Sequence, residues 1–201
     1  MMGKKIKYVG AFTVALIFAG FNVAKAQKVK ILPKSEWNGV EARAYKQHVP
    51  VKITVHHEGG RLLTKADDAR KRLKNIQTWS MGPDRKWADV PYHILIGPDG
   101  TVFEGRNPLT VGETNTEYDP TGHLLICFLG NYNQQKVDKK LLKVLINVLA
   151  DQSIKYNIAP TEIATHKDYS KQTTCPGEDI YSYFESGYIV ERVTKLLEKR
   201  K

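Results

Sequence analysis

His123-Leu-Leu-Ile-Cys-Phe-Leu129 is the stretch on which the fold turns. One histidine is followed by a nearly continuous apolar run, so the in-out alternation of a half-exposed strand is missing, as expected of a central strand buried on both faces. Such a sheet needs helices to cover it, and the flanking sequence supplies them. Before the run, Val51-Lys-Ile-Thr-Val-His-His57 alternates apolar and polar residues, is rich in β-branched types and reads as a second strand. Thr64 with Asp67 three residues on gives a helix start signal, and Ala69, Leu73, Ile76 and Ser80 then fall at helical spacing up to Gly82-Pro83. Tyr92–Ile96 and Thr101–Glu104 flank Gly97-Pro98-Asp99-Gly100 and read as a hairpin. After the run, Asp138 caps a helix to about Tyr156, with Leu141, Leu142, Leu145, Val148 and Leu149 on its buried face. Ile163–Thr165 reads as a short strand and Tyr188–Lys199 as a C-terminal amphipathic helix. Strands alternating with helices indicate one α/β domain, about residues 30–201, with a central mixed β-sheet flanked by helices.

Composition narrows the function classes. The 201 residues are 41% hydrophobic and 26% charged, which excludes a disordered or fibrous chain, and two cysteines exclude a disulfide-rich scaffold. Lys and Arg outnumber Asp and Glu by 31 to 21, a formal charge of +10 that invites a nucleic-acid, anionic-glycan or membrane reading. Part of that charge lies in residues 1–26. Lys4, Lys5 and Lys7 precede an apolar run from Tyr8 to Val23, and Ala24-Lys25-Ala26 closes it, the pattern of a secretory signal peptide. Gly10, Gly20 and Asn22 interrupt the run and make it a poor permanent membrane anchor, and no cysteine follows it to carry a lipid. Cleavage after Ala26 removes four lysines and lowers the formal charge from +10 to +6. The expected protein is exported, periplasmic or secreted, with no nucleic-acid role. Its remaining positive field suits approach to an anionic wall polymer.

Among six histidines, two stand out with one cysteine. His56 ends a predicted strand beside Gly59-Gly60; His166 follows another; Cys175 lies nine residues later, before Pro176-Gly177. Cys127, in mid-strand, is a poor disulfide partner for Cys175, and a metal-held thiolate would account for an unpaired cysteine in an oxidising compartment. Two imidazoles and one thiolate make a three-ligand zinc site with a fourth position for water, suited to hydrolysis of an unactivated amide. Spacing by itself leaves open the plainer reading of a buried cysteine and ordinary histidines.

Ser35-Glu-Trp37, Ile53-Thr-Val-His-His57, the long block Asp89-Val-Pro-Tyr-His-Ile-Leu-Ile-Gly-Pro-Asp-Gly-Thr-Val-Phe-Glu-Gly-Arg106, Val111-Gly112, Leu129-Gly-Asn-Tyr-Asn133 and His166 to Cys175-Pro-Gly177 occur in that order. In these stretches the chain resembles the family of peptidoglycan recognition proteins and bacteriophage-lysozyme-type zinc N-acetylmuramoyl-L-alanine amidases, over about residues 33–180. The resemblance implies one zinc ion held by His56, His166 and Cys175 in a cleft at the sheet's edge. It implies that Tyr92 is a catalytic tyrosine and Thr173 a further oxyanion donor. The substrate it implies is peptidoglycan or its muropeptides, cut between N-acetylmuramoyl and L-alanine by a monomeric enzyme. A non-catalytic recognition module on the same fold is the alternative. Members of that kind generally lack the cysteine, so Cys175 points to catalysis. Strand alternation turns His57 away from His56 and His93 away from Tyr92. The chain also departs from the family pattern. Glu58 stands where many relatives carry a small hydroxyl residue, the loop at Glu113 lacks an expected histidine, and the His166–Cys175 loop is one residue longer than usual.

Overall fold

The structure, a computed structural model, describes residues 28–200; the signal-peptide reading of residues 1–26 lies outside them. Six strands form one sheet: β1 (Ile31–Leu32), β2 (Lys52–His57), β3 (Ile94–Ile96), β4 (Val102–Glu104), β5 (His123–Phe128) and β6 (Ile163–Thr165). Their order across the sheet is β1-β4-β3-β5-β2-β6. Only β3 and β4 pair antiparallel, through the hairpin at Gly97–Gly100; the other neighbours are parallel. The sheet is therefore mixed, as the sequence predicts. Every residue of β5 is buried, which is why its apolar run is continuous.

Five helices complete the fold: α1 (Ala69–Ser80), α2 (Lys139–Tyr156), α3 (His166–Tyr169), α4 (Glu178–Glu185) and α5 (Tyr188–Glu198). Side-chain parity along β5 sorts them into layers. Leu124, Ile126 and Phe128 join Ile53 and Val55 of β2 in the core beneath α2 and α5, where Leu145, Leu149 and Val193 are fully buried. Cys127 and Leu129 face the other way and pack with Leu73 and Ile76 of α1 and with Trp37. Truncating a fully buried leucine such as Leu149 to alanine costs about 2–5 kcal/mol.

Helix ends follow local chemistry, with one difference from expectation. The sequence places the first helix start at Thr64, but α1 begins after Asp68, whose carboxylate accepts the Arg70 and Lys71 N–H groups. Asp67 is already engaged: it accepts from the Thr64 N–H and hydroxyl, closing a separate turn. For α2 the cap is as expected, with Asp138 accepting the Leu141 N–H. The polar loop expected after His166 holds a single helical turn, α3. It is started by a reciprocal capping box in which Thr165 and Asp168 satisfy each other's end groups.

Candidate metal centre

The centre forms near the ends of two parallel neighbours, where β6 stops two residues short of β2. Val55 of β2 pairs with Thr165 of β6, so the next residues, His56 and His166, emerge side by side at the end of the sheet. Parity puts His56 on the α1 side and His57 on the opposite side. The third group arrives on the loop before α4. There Gly177, at φ +91°, lies so close to the Tyr132 and Asn133 backbone and to His57 that a Cβ would sit 2.5 Å from the Tyr132 carbonyl carbon. That close approach needs glycine and sets Cys175 against the end of β2.

The potential ligand atoms of His56, His166 and Cys175 all lie within 4.8 Å of one another, and all three residues are buried. His56 Nδ1 is 3.5 Å from Cys175 Sγ, and the His56 and His166 ring centroids are 4.7 Å apart. A tetrahedral zinc ion with such ligands holds its donor atoms about 3.3–3.6 Å apart, a small contraction from this spacing. Burial, then the neighbouring His166, keeps His56 well below the usual imidazole range, and burial brings His166 down to about 4. Both rings are therefore neutral, the form that ligates a metal. Burial pushes the Cys175 thiol up to about 12, so a thiolate at this place needs a cation beside it. The backbone N–H of His57 donates to that sulfur at 3.3 Å. Nε2 of His56 is buried without a hydrogen-bond partner among the described residues, and with Nδ1 facing the sulfur it is the nitrogen that would carry the ring proton. The donor set and its burial fit a zinc ion.

Around the cluster lies a cleft of about 340 Å³. Tyr92 is on its wall, its ring centroid 5.2 Å from that of His56. Burial holds the phenol well above its usual range, so Tyr92 keeps its proton and can donate a hydrogen bond. Thr173 also lines the cleft; its Oγ accepts the Cys175 N–H at 3.0 Å, which leaves the hydroxyl proton free to point into the cavity. His57 takes a supporting place: its Nδ1 accepts the Tyr132 N–H at 3.1 Å. His93 is fully buried, accepts from Leu125 N–H and donates to the Thr110 carbonyl. His48 accepts from Gly122 N–H, and His123 bonds Thr54. These four are internal braces.

Sequence reasoning missed the hydroxyls of Thr114 and Thr116, which approach His166 Nε2 at 3.4 and 2.6 Å. It also missed an extension of the cleft. A second cavity of about 450 Å³ shares Glu58, Trp87, Pro91, Tyr92 and Asn115 with the first and continues it past Trp79. Glu58 is held at that junction by Arg72. Glu113 is turned partly inward, its carboxylate meeting the fully buried guanidinium of Arg106.

Two imidazoles and a thiol gathered at the floor of an open cleft, at the end of a mixed sheet, define a candidate metal centre. The sequence profile of the N-acetylmuramoyl-L-alanine amidases matches residues 46–178, and the chain belongs to that family. Peptidoglycan-recognition protein SC2 of Drosophila simulans is 31% identical over 157 residues, 77% of this chain and 84% of the relative. The solved structure of N-acetylmuramoyl-L-alanine amidase LysC from Clostridium intestinale superposes with a TM-score of 0.63 at 26% identity, covering 79% of this chain and 96% of LysC. Peptidoglycan recognition protein LE was solved in complex with tracheal cytotoxin, a monomeric diaminopimelic acid-type peptidoglycan. It superposes with a TM-score of 0.68 at 25% identity over 78% of this chain and 92% of its own.

Proposed function

We propose that the chain is an exported zinc amidase that hydrolyses the bond between the N-acetylmuramoyl lactyl carbonyl and L-alanine in peptidoglycan or its muropeptides. One observation carries the reading: His56, His166 and Cys175 are buried together at the floor of an open cleft, with neutral imidazoles. Zinc held there would polarise the amide carbonyl and supply a water acidic enough to lose its proton near pH 7. The chain's own groups do the rest. The cleft and its extension past Trp79 give the substrate room beside the cluster. Tyr92, protonated throughout the neutral range, donates a hydrogen bond to the oxygen on which charge develops, and Thr173 adds a second donor from the opposite loop.

A recognition protein that binds without cutting is the second reading, favoured by the resemblance to proteins such as the tracheal-cytotoxin-bound LE. Binding alone has no use for a buried thiol aimed at two imidazoles, so Cys175 favours catalysis. Metal analysis with muropeptide digestion decides between them. We expect one zinc per chain and release of free stem peptide, both lost in Cys175→Ala. Stoichiometric zinc without cleavage of any muropeptide would establish the recognition reading.

Export follows from residues 1–26, and N-terminal sequencing of secreted material should begin at Gln27. Cleavage after Ala26 would remove the apolar run and leave an unanchored enzyme, which acts as a monomer.

A further inference from the structure

The loop from Glu113 to Glu117 reaches the metal cluster from a part of the chain about fifty residues away from His166, and it is held at both ends. At one end the Glu113 carboxylate is paired with buried Arg106 and also accepts the Ala88 N–H at 2.9 Å. At the other, the Ser170 hydroxyl donates to Glu117 at 2.7 Å, tying the loop to the residue that follows α3. Between these anchors, Thr116 Oγ lies 2.6 Å from His166 Nε2, and Thr114 Oγ lies 3.4 Å from the same nitrogen. The two hydroxyls are 3.0 Å apart, and the Thr116 N–H also points to Thr114 Oγ at 3.3 Å.

An imidazole that ligates a cation fixes the direction of the bond at Nε2. A ligating ring offers a lone pair on one nitrogen and carries its proton on the other. With Nε2 engaged by the hydroxyls, Nδ1 is the nitrogen left for the cluster. Nε2–H then donates to Thr116 Oγ, and the two threonine hydroxyls share a hydrogen bond in which either can donate. Metal-binding histidines generally have their second nitrogen held in this way by a carboxylate, carbonyl or water. Here a threonine hydroxyl fills that place, and the buried Arg106–Glu113 pair fixes the loop that carries it.

We propose that Thr116 is a positioning residue of the metal centre: its hydroxyl accepts the Nε2–H of His166, fixes the ring's tautomer and rotation, and presents Nδ1 to the ion. The inference rests on the zinc reading of the site and deepens it.

Zinc affinity, measured by competition with a chromogenic chelator, tests it without recourse to activity. Thr116→Val keeps the shape and removes the acceptor, and should weaken zinc binding about tenfold or more, the range expected for loss of such a partner. Thr116→Ser should restore affinity to within about twofold of the wild type. Nitrogen-15 spectra of the zinc-loaded wild type should show the His166 proton on Nε2. If the wild type binds zinc and Thr116→Val binds it equally well, the positioning role is overturned while the zinc reading stands. A proton on His166 Nδ1 in the wild-type spectrum overturns the role whatever the variant does. If the wild type binds no zinc, the proposed function fails and this inference fails with it.

Discussion

Arg106 and Glu113 provide the sharpest test of how the cleft wall is held. The Arg106 side chain is fully buried; Nε donates to the Val90 carbonyl at 3.0 Å, Nη1 to Val111 at 2.6 Å and Nη2 to Asp89 at 3.1 Å, and the guanidinium also meets the Glu113 carboxylate. Arg106→Met leaves a nearly buried carboxylate without its cation and three carbonyls without their donor. Removing one partner of a buried pair costs about 3–5 kcal/mol. At about 2.1 cal/mol/K of unfolding entropy per residue, a domain of this size loses roughly 3 °C per kcal/mol, so Tm should fall by about 8–14 °C. Glu113→Gln, which retains shape and one acceptor, should fall less. The double variant removes both charges, and its loss should be smaller than the sum of the two singles. Thermal and urea unfolding followed by circular dichroism, on metal-free protein, measures all three without a contribution from bound zinc. A shift of under about 2 °C for Arg106→Met, or strict additivity in the double variant, would refute the pair as the anchor of this wall.

Tyr92→Phe should retain zinc while kcat/KM falls about 100- to 1000-fold, the usual cost of losing one oxyanion donor; an activity within fivefold of wild type would remove Tyr92 from the reaction. Thr173→Val should lower kcat with little change in zinc affinity, since its hydroxyl oxygen accepts only the Cys175 N–H. Burial, opposed by its bond to the Thr110 carbonyl, holds His93 at about 3 against 6.5 unfolded, so the native state binds fewer protons than the unfolded one below pH 6.5. Its contribution is intact above pH 6.5 and lost as pH falls towards 3, at up to about 1.4 kcal/mol per pH unit; in metal-free protein His93→Gln should flatten the stability profile by that slope between pH 6 and 4, and an unchanged slope would show that His93 is not held neutral. Asp68→Ala should cost about 1 kcal/mol, some 3 °C in Tm, by leaving the first N–H groups of α1 uncapped.

What the sequence makes legible depends on how far apart the interacting residues lie. The apolar run at β5 and the leucine spacing of α2 are local patterns, and both elements appear where the pattern puts them. The opposed directions of His56 and His57 follow from the pleat, and the hydrogen bond of His57 to Tyr132 is its consequence on the far side of the sheet. The start of α1 was misread because Thr64 and Asp67 carry a genuine capping signature, used here to close a turn before the helix. The one-turn helix at His166 is too short for any periodicity, although Thr165 and Asp168 do carry its capping signal. Glu113 reads in sequence only as part of a loop that lacks an expected histidine, and nothing local reveals that Arg106 is its partner. Thr114 and Thr116 read as ordinary loop residues until the fold sets them against His166.

The same reasoning explains why the cluster sits at this corner of the sheet. In antiparallel neighbours, the end of one strand meets the beginning of the next, and consecutive chain segments leave in opposite directions. In β2 and β6 the strands are parallel and paired at Val55 and Thr165, so the next residue of each, His56 still within β2 and His166 opening α3, stands at the same level of the sheet. Histidines at these two positions need no long loop to bring them together. The third donor must come from elsewhere, and it does so on a segment whose glycine lets it press against Tyr132 and His57. Three buried groups that oppose charge individually, two imidazoles pushed down and a thiol pushed up, are costly to assemble for binding a sugar or peptide but well matched to a dication.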